Sequence, residues 1–144
     1  MHKVKVLLQS RSLVYAAPGD TVIDVARKMG AAKVGAIPVL DGQRLMGVFS
    51  ERDLMTRVVI PGRDPRSVFV KEVMTKEVIT AHREETRSEC IAKMREAGCR
   101  HLPVIEDGQV VAMLSMRDLL RDHIEEQGEE IRSLRQYLYQ QPLA

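Results

Sequence analysis

A chain of 144 residues with 44% hydrophobic content can bury one domain-sized core. Its 22 basic and 20 acidic residues leave a net charge of +2 and a pI near 8.6, too mild a balance for a protein built around nucleic-acid or membrane binding. Aromatics at 3%, without tryptophan, argue against base stacking on aromatic platforms and call for an aliphatic, Met-rich core. No apolar run nears the roughly 20 residues of a membrane span, and the N-terminus lacks a secretion signal. Cys90 and Cys99 form neither a C-x-x-C nor a disulfide framework, so a reduced, cytoplasmic setting is expected.

In chain order, Val4 to Leu8 is a short apolar opening that reads as a strand or half-turn. Leu13-Val14-Tyr15 reads as a strand halted by Pro18-Gly19. Thr21-x-x-Asp24 is a capping-box pattern, and the helix behind it places Val22, Val25, Ala26 and Met29 on one face, with Gly30 as its expected stop. Ala36 to Leu40 and Leu45 to Phe49 are short apolar strands joined by Asp41-Gly42, a hairpin signal. Ser50 to Asp53 starts a second helix whose buried side is expected to be Leu54, Met55, Val58 and Val59. Pro61-Gly62-Arg63-Asp64-Pro65 forbids regular structure and reads as a linker.

The same order then recurs. Val78 to Thr80 reads as a strand, Thr86-x-x-Glu89 as a capping box, and Cys90, Ile91 and Met94 occupy the positions of Val25, Ala26 and Met29. Cys90 therefore reads as a small core residue, since a free cysteine packs as a hydrophobe. The register of the repeat is 65: Thr86 minus Thr21, Met94 minus Met29, Pro103 minus Pro38, Ser115 minus Ser50 and Asp118 minus Asp53 all give that number. A chain that writes one unit twice is read first as a repeat. Only the hairpin turn slips on this reading, Glu106-Asp107-Gly108 standing against Asp41-Gly42. The expected division is repeat one over 1–60, a linker over 61–66, repeat two over 67–122 and a helical extension over 123–144. In that extension Ile124, Ile131 and Leu138 are seven apart and continue a stripe with Leu119, Leu120 and Leu134. It either packs on its own domain or docks on a second subunit.

No G-x-S-x-G, Walker loop, G-x-G-x-x-G or H-E-x-x-H is present, and His82, His101, Cys90 and Cys99 match no usual zinc spacing. Neither an enzyme nor a metal site is expected. What remains is the pair of helix starts, Ser50 to Asp53 and Ser115 to Asp118. A helix N-terminus with a serine hydroxyl is a seat for phosphate, and an aspartate one turn in can accept from both hydroxyls of a ribose. Arg52 and Arg117 can add charge-assisted bonds. The same S-x-x-D spacing is also an ordinary cap that needs no ligand. Arg100 and His101 entering a buried strand favour an anion opposite them, or else a basic pair leaning on the strand edge. In copy one Gly35 and Ala36 stand there, so anion binding should concentrate in copy two.

The motifs Lys71-Glu72-Val73-Met74-Thr75, Gly35-Ala36-Ile37-Pro38-Val39, Arg100-His101-Leu102-Pro103-Val104 and Gly47-Val48-Phe49-Ser50-Glu51-Arg52-Asp53 resemble those of tandem cystathionine-β-synthase (CBS) domain proteins, or Bateman modules. The resemblance runs from about Val4 to Leu120. It implies an α/β (α+β) fold of two β-α-β-β-α repeats forming one pseudo-twofold module, commonly dimeric, that binds AMP, ADP, ATP, NAD or S-adenosylmethionine between its copies. It further implies that Asp53 and Asp118 hold ribose hydroxyls and that Ser50, Ser115, Arg52 and Arg117 face phosphate. Thr80, with Tyr15 as its counterpart, would lie near adenine. Ala36, Ile37, Pro38, Leu102 and Pro103 would line the base, and Arg100 and His101 would meet the phosphates. Tyr15, Gly35 and Ala36 depart from the pattern and weaken the first site, while Ala112, in the place of Gly47, crowds the second slightly. The expected protein is a homodimeric regulatory sensor of an adenine nucleotide, AMP first, acting on another protein. The rival reading is a ligand-free interaction dimer that works through its C-terminal helix.

Overall fold

The computed structural model describes residues 3–7 and 12–140. A 3-10 turn, Val4–Leu7, precedes α1 (Val22–Ala32), β1 (Ala36–Asp41), β2 (Arg44–Ser50) and α2 (Glu51–Asp53), which continues as π-helical turns over Leu54–Val59. After the linker come α3 (Val70–Val73), α4 (Arg87–Ala97), β3 (His101–Glu106), β4 (Gln109–Ser115) and the long α5 (Met116–Gln140). Leu8, expected to end the apolar opening, lies outside the described residues.

The repeat holds down to single hydrogen bonds. Each hairpin is antiparallel, and each shifts register at the same place, between Val39 and Leu40 and between Val104 and Ile105. Lys28 Nζ donates to the Tyr15 carbonyl at 2.8 Å and Lys93 Nζ to the Thr80 carbonyl at 2.9 Å. The segments expected as first strands, Leu13 to Tyr15 and Val78 to Thr80, lie outside any strand. Only the residue after each joins the sheet, Ala16 beside Val39 and Ala81 beside Val104, as parallel bridges.

The one-residue slip is not in the hairpin turn. Strand bounds in the two copies differ by 65 on both sides of the loop (106 − 41 and 109 − 44), so the loops are equal in length. The slip lies in the openings: Lys3 bridges Thr86 while Phe69 bridges Thr21, an offset of 66 on one side (69 − 3) and 65 on the other (86 − 21).

Those openings intertwine the halves. Val4 N–H donates to the Glu85 carbonyl at 2.9 Å and Val4 is fully buried in the second copy's core, with Ala81, Cys90, Met94, Leu102, Val104, Leu114 and Leu119. Conversely Val68, Val70, Val73 and Met74 complete the first core around Val22, Val25, Ile37, Val39, Phe49 and Val58. Burial pushes the Cys90 thiol up to about 11, as suits a packed hydrophobe.

Three local expectations are corrected. α1 passes Gly30 and ends at Lys33, a left-handed residue (φ 56) whose N–H donates to Gly30 and Met29 carbonyls, in the position that Gly98 fills after α4. Thr21 and Thr86 cap their helices, accepting from Asp24 and Glu89 N–H, but the Asp24 carboxylate faces Arg27 at 3.7 Å. In the second helix, the wider π turns rotate Met55 and Val59 out to 53% and 65% exposure and leave Val58 as the buried anchor, with Leu54 half-buried.

Candidate functional site

Strand register builds the two corners. It sets Ala36 across from Ser50 and His101 across from Ser115, so each strand start lies beside the helix start that follows its hairpin. Glu51 N–H donates to the Gly35 carbonyl at 3.0 Å and Met116 N–H to the Arg100 carbonyl at 2.8 Å, tying strand start to helix start in both copies.

The first corner is closed on itself. Ser50 and Asp53 form a reciprocal cap: Asp53 N–H donates to Ser50 Oγ at 3.2 Å, and Asp53 Oδ2 accepts from Ser50 N–H at 3.0 Å and Ser50 Oγ at 3.1 Å. Thr75 Oγ1 donates to Asp53 Oδ1 at 3.0 Å, and Arg57 Nε lies 3.6 Å from the same oxygen. The carboxylate is 6% exposed. Thr75 gets there because its backbone pairs with Val48, each N–H donating to the other's carbonyl at 2.9 Å. Gly47 permits that approach, since a Cβ on it would lie 2.6 Å from the Thr75 carbonyl oxygen.

The second corner keeps the reciprocal cap, Ser115 N–H donating to Asp118 Oδ2 at 3.2 Å and Asp118 N–H to Ser115 Oγ at 3.1 Å, but its carboxylate is only half-buried. His101 stands at the junction of the copies. A Cβ on Gly35 would come within 3.3 Å of the imidazole and 3.5 Å of the Glu51 carboxyl carbon, so the glycine is the space into which His101 fits. The difference between Gly35-Ala36 and Arg100-His101 is therefore complementary packing as well as a difference in charge. Burial holds the His101 pKa below its ordinary value, with Arg100 acting in the same direction and Glu51 and Asp118 opposing. Arg52 crosses between copies, its Nη1 donating to the Gly98 carbonyl at the end of α4, 3.5 Å away, where the helix dipole favours a cation.

The remaining expected residues frame these corners. Ala36, Ile37, Pro38, Leu102 and Pro103 are buried, Thr80 is half-buried, and Arg100 and Arg117 are exposed. Tyr15 is half-exposed, its ring 5.9 Å from Lys28 Nζ. Sequence reasoning gave no site role to Thr75, Arg57, Glu51 and Gly35. Thr75 was visible only as a motif letter and Gly35 only as a departure from the basic pair, and nothing in their spacing marks Asp53 or His101 as their partner. Among the described residues, no group of three or more His, Cys, Asp or Glu could hold a metal ion, and no helix is long and apolar enough to cross a membrane.

Two intertwined helix-and-hairpin repeats, each with a Ser–Asp helix start beside the strand start of its own hairpin, define a tandem architecture of small α/β modules. The sequence matches the CBS domain over residues 6–60 and again over 70–124, and the chain belongs to that family. It is 36% identical over 122 residues to the CBS domain-containing protein CBSCBSPB2 of Arabidopsis thaliana, covering 84% of this chain and 23% of that protein. The chain thus spans about a quarter of that plant relative's length. The crystal structure of the CBS domain NE2398 superposes with a TM-score of 0.81 at 35% identity, covering 85% of this chain and 98% of that one. A CBS domain protein of Pyrobaculum aerophilum, PAE2072, solved in complex with AMP, superposes with a TM-score of 0.74 at 26% identity, covering 81% of this chain and 89% of that one.

Proposed function

We propose that this protein is a regulatory module that binds an adenine nucleotide, AMP foremost and ADP, ATP or NAD(H) as alternatives, in the cleft of its second copy. One observation carries the reading. The two Ser–Asp corners are alike in backbone but unlike in burial: Asp53 is buried under Thr75 and Arg57, whereas Asp118 is half-buried beside a basic strand start.

In the second cleft Asp118 accepts from the ribose hydroxyls, Leu102 and Pro103 line the base, and Thr80 meets the adenine edge. Ser115, Arg100, His101, Arg117 and the N-terminus of α5 take the phosphate. The AMP complex of the Pyrobaculum relative supports this choice of ligand. In the first cleft, with Ser50, Arg52, Asp53, Tyr15 and the Ala36–Pro38 backbone, a ribose would compete with Thr75 for the carboxylate, so it binds more weakly. The protein acts in the cytoplasm as a homodimer, two exposed apolar pairs related by the repeat, Met55/Val59 and Leu120/Ile124, facing the partner subunit. It signals because a ligand selects the arrangement of copies it binds best, and a downstream protein reads that arrangement.

A thermal-shift screen of AMP, ADP, ATP, NAD, NADH and S-adenosylmethionine tests this. A ligand at 100 times its dissociation constant stabilises the fold by about 2.7 kcal/mol. The expected result is a shift with at least one of the first five that Asp118→Ala abolishes. No shift with any of them overturns the proposal.

A further inference from the structure

The far half of α5 carries a stripe that the other described residues do not cover. Leu119 and Asp122 are buried and Glu126 half-buried, which fixes one face of α5 against its own copy. At about 100° per residue, Leu120, Ile124, Ile131, Leu134 and Leu138 fall together roughly a third of a turn around from that face. Ile124, Ile131, Leu134 and Leu138 are accordingly between 51% and 68% exposed. An arrangement in which α5 packs on its own domain is thereby excluded for this stripe: its angular position, not a loose end, turns it outward.

The spacing of the stripe is a coiled-coil seam. Ile124, Ile131 and Leu138 are seven apart, and Leu120, Gln127 and Leu134 fall between them at the same interval. The first set takes the a positions and the second the d positions of nearly three heptads, with Gln127 the one polar layer. Isoleucine at two of the three a positions and leucine at two of the three d positions follow the pattern of two parallel strands. The flanking charges agree. In a parallel, in-register pair, Glu130 at g meets Arg135 at e of the other helix, once on each side of the axis. In an antiparallel pair with the same layers, Arg121 is brought near the other helix's Arg135, like charge against like.

We infer that the C-terminal halves of α5 from two copies of this chain wind around each other as a parallel, in-register coiled coil over Leu120 to Leu138. The occupant of the stripe is the same stripe. The inference rests on the homodimer proposed above and adds its geometry: the twofold axis runs along the α5 pair, so the two second copies, with their nucleotide clefts, lie at the same end of the dimer. The Arg87 clamp on Asp122 and Glu126, with Nη1 2.8 Å from Asp122 Oδ2, sets the angle at which the coil leaves the body.

The test is cysteine trapping in the full-length Cys99→Ser protein, where Cys90 stays buried. Leu138→Cys lies on the seam, and in a parallel pair its Cα atoms come within disulfide reach. In the antiparallel pair centred near residue 129, they stand roughly 27 Å apart at 1.5 Å per residue. Mild oxidation is expected to give a disulfide-linked dimer with Leu138→Cys but not with Gln136→Cys, which points away from the seam. Ile131→Glu/Leu134→Glu should raise the dimer dissociation constant at least tenfold by sedimentation, with the far-UV signal of the body kept. A dimer by sedimentation that Leu138→Cys cannot trap overturns the coiled coil and leaves the homodimer standing. A monomer at micromolar concentration overturns both.

Discussion

Replacing Arg87 by valine tests how α5 is held to the body. The position is the counterpart of Val22 (87 − 65), a fully buried core residue, yet copy two places a guanidinium there that is 6% exposed. Its Nη1 reaches Asp122 Oδ2 at 2.8 Å and Glu126 Oε2 at 2.5 Å, and Asp122 is itself 5% exposed. Burial alone would lower the arginine's pKa, but the bonds to Glu126 and Asp122 outweigh it and leave the pKa above the ordinary value. Arg87→Val removes the cation from between two carboxylates, one of them buried, a change that costs about 3–5 kcal/mol. Against a total stability of about 5–15 kcal/mol this is a large fraction. With a urea slope of about 2 kcal/mol/M, the midpoint should fall by about 1.5–2.5 M. Arg87→Val/Asp122→Leu should recover at least half of the loss, because an apolar pair of similar volume replaces the ion pair at little cost. A single-variant loss below about 1 kcal/mol would refute the reasoning, since the triad would then be solvated in solution.

Gly47→Ala drives a methyl toward the Thr75 carbonyl oxygen, 2.6 Å from the ideal Cβ, so strand and opening must part. We expect a loss of about 1–3 kcal/mol in urea unfolding, against less than 1 kcal/mol for Ala112→Gly in copy two. Lys33→Gly removes a left-handed β-carbon (φ 56) and should raise the thermal midpoint, by about 1 kcal/mol of stability. His101, its pKa below the ordinary 6.5 in the fold, takes its proton first in the unfolded chain. Its contribution is thus intact above about pH 6.5 and lost as pH falls through the folded-state pKa. Urea midpoints from pH 7.5 to 5 should decline more steeply for the native protein than for His101→Asn, and parallel slopes would contradict the placement of His101.

The hairpins and the helices before them were legible because their signals are local: short apolar runs, Asp-Gly turns, and threonine caps that recur at one offset. The first strands were not, because Ala16 and Ala81 join the sheet by single parallel bridges whose partners, Val39 and Val104, lie more than twenty residues on. A 3.6-residue period also misassigned Met55 and Val59, since π turns advance the face more slowly than the pattern assumes. At the site, both Ser–Asp corners were visible, but the commitment of Asp53 was hidden. It depends on Thr75, which arrives across the linker by a backbone approach that only Gly47 allows. The same holds for His101: its neighbours Gly35 and Glu51 belong to the other copy, and the repeat register relates copies without saying how they face one another.

Isothermal titration of AMP into the native protein, into Asp118→Asn and into Asp53→Asn measures the central claim, that the less buried corner is the receptor. The account predicts one high-affinity nucleotide per chain, a loss of at least tenfold in affinity with Asp118→Asn, and a high-affinity site that survives Asp53→Asn. Equal weakening by both substitutions, or a single site lost only with Asp53→Asn, would contradict it.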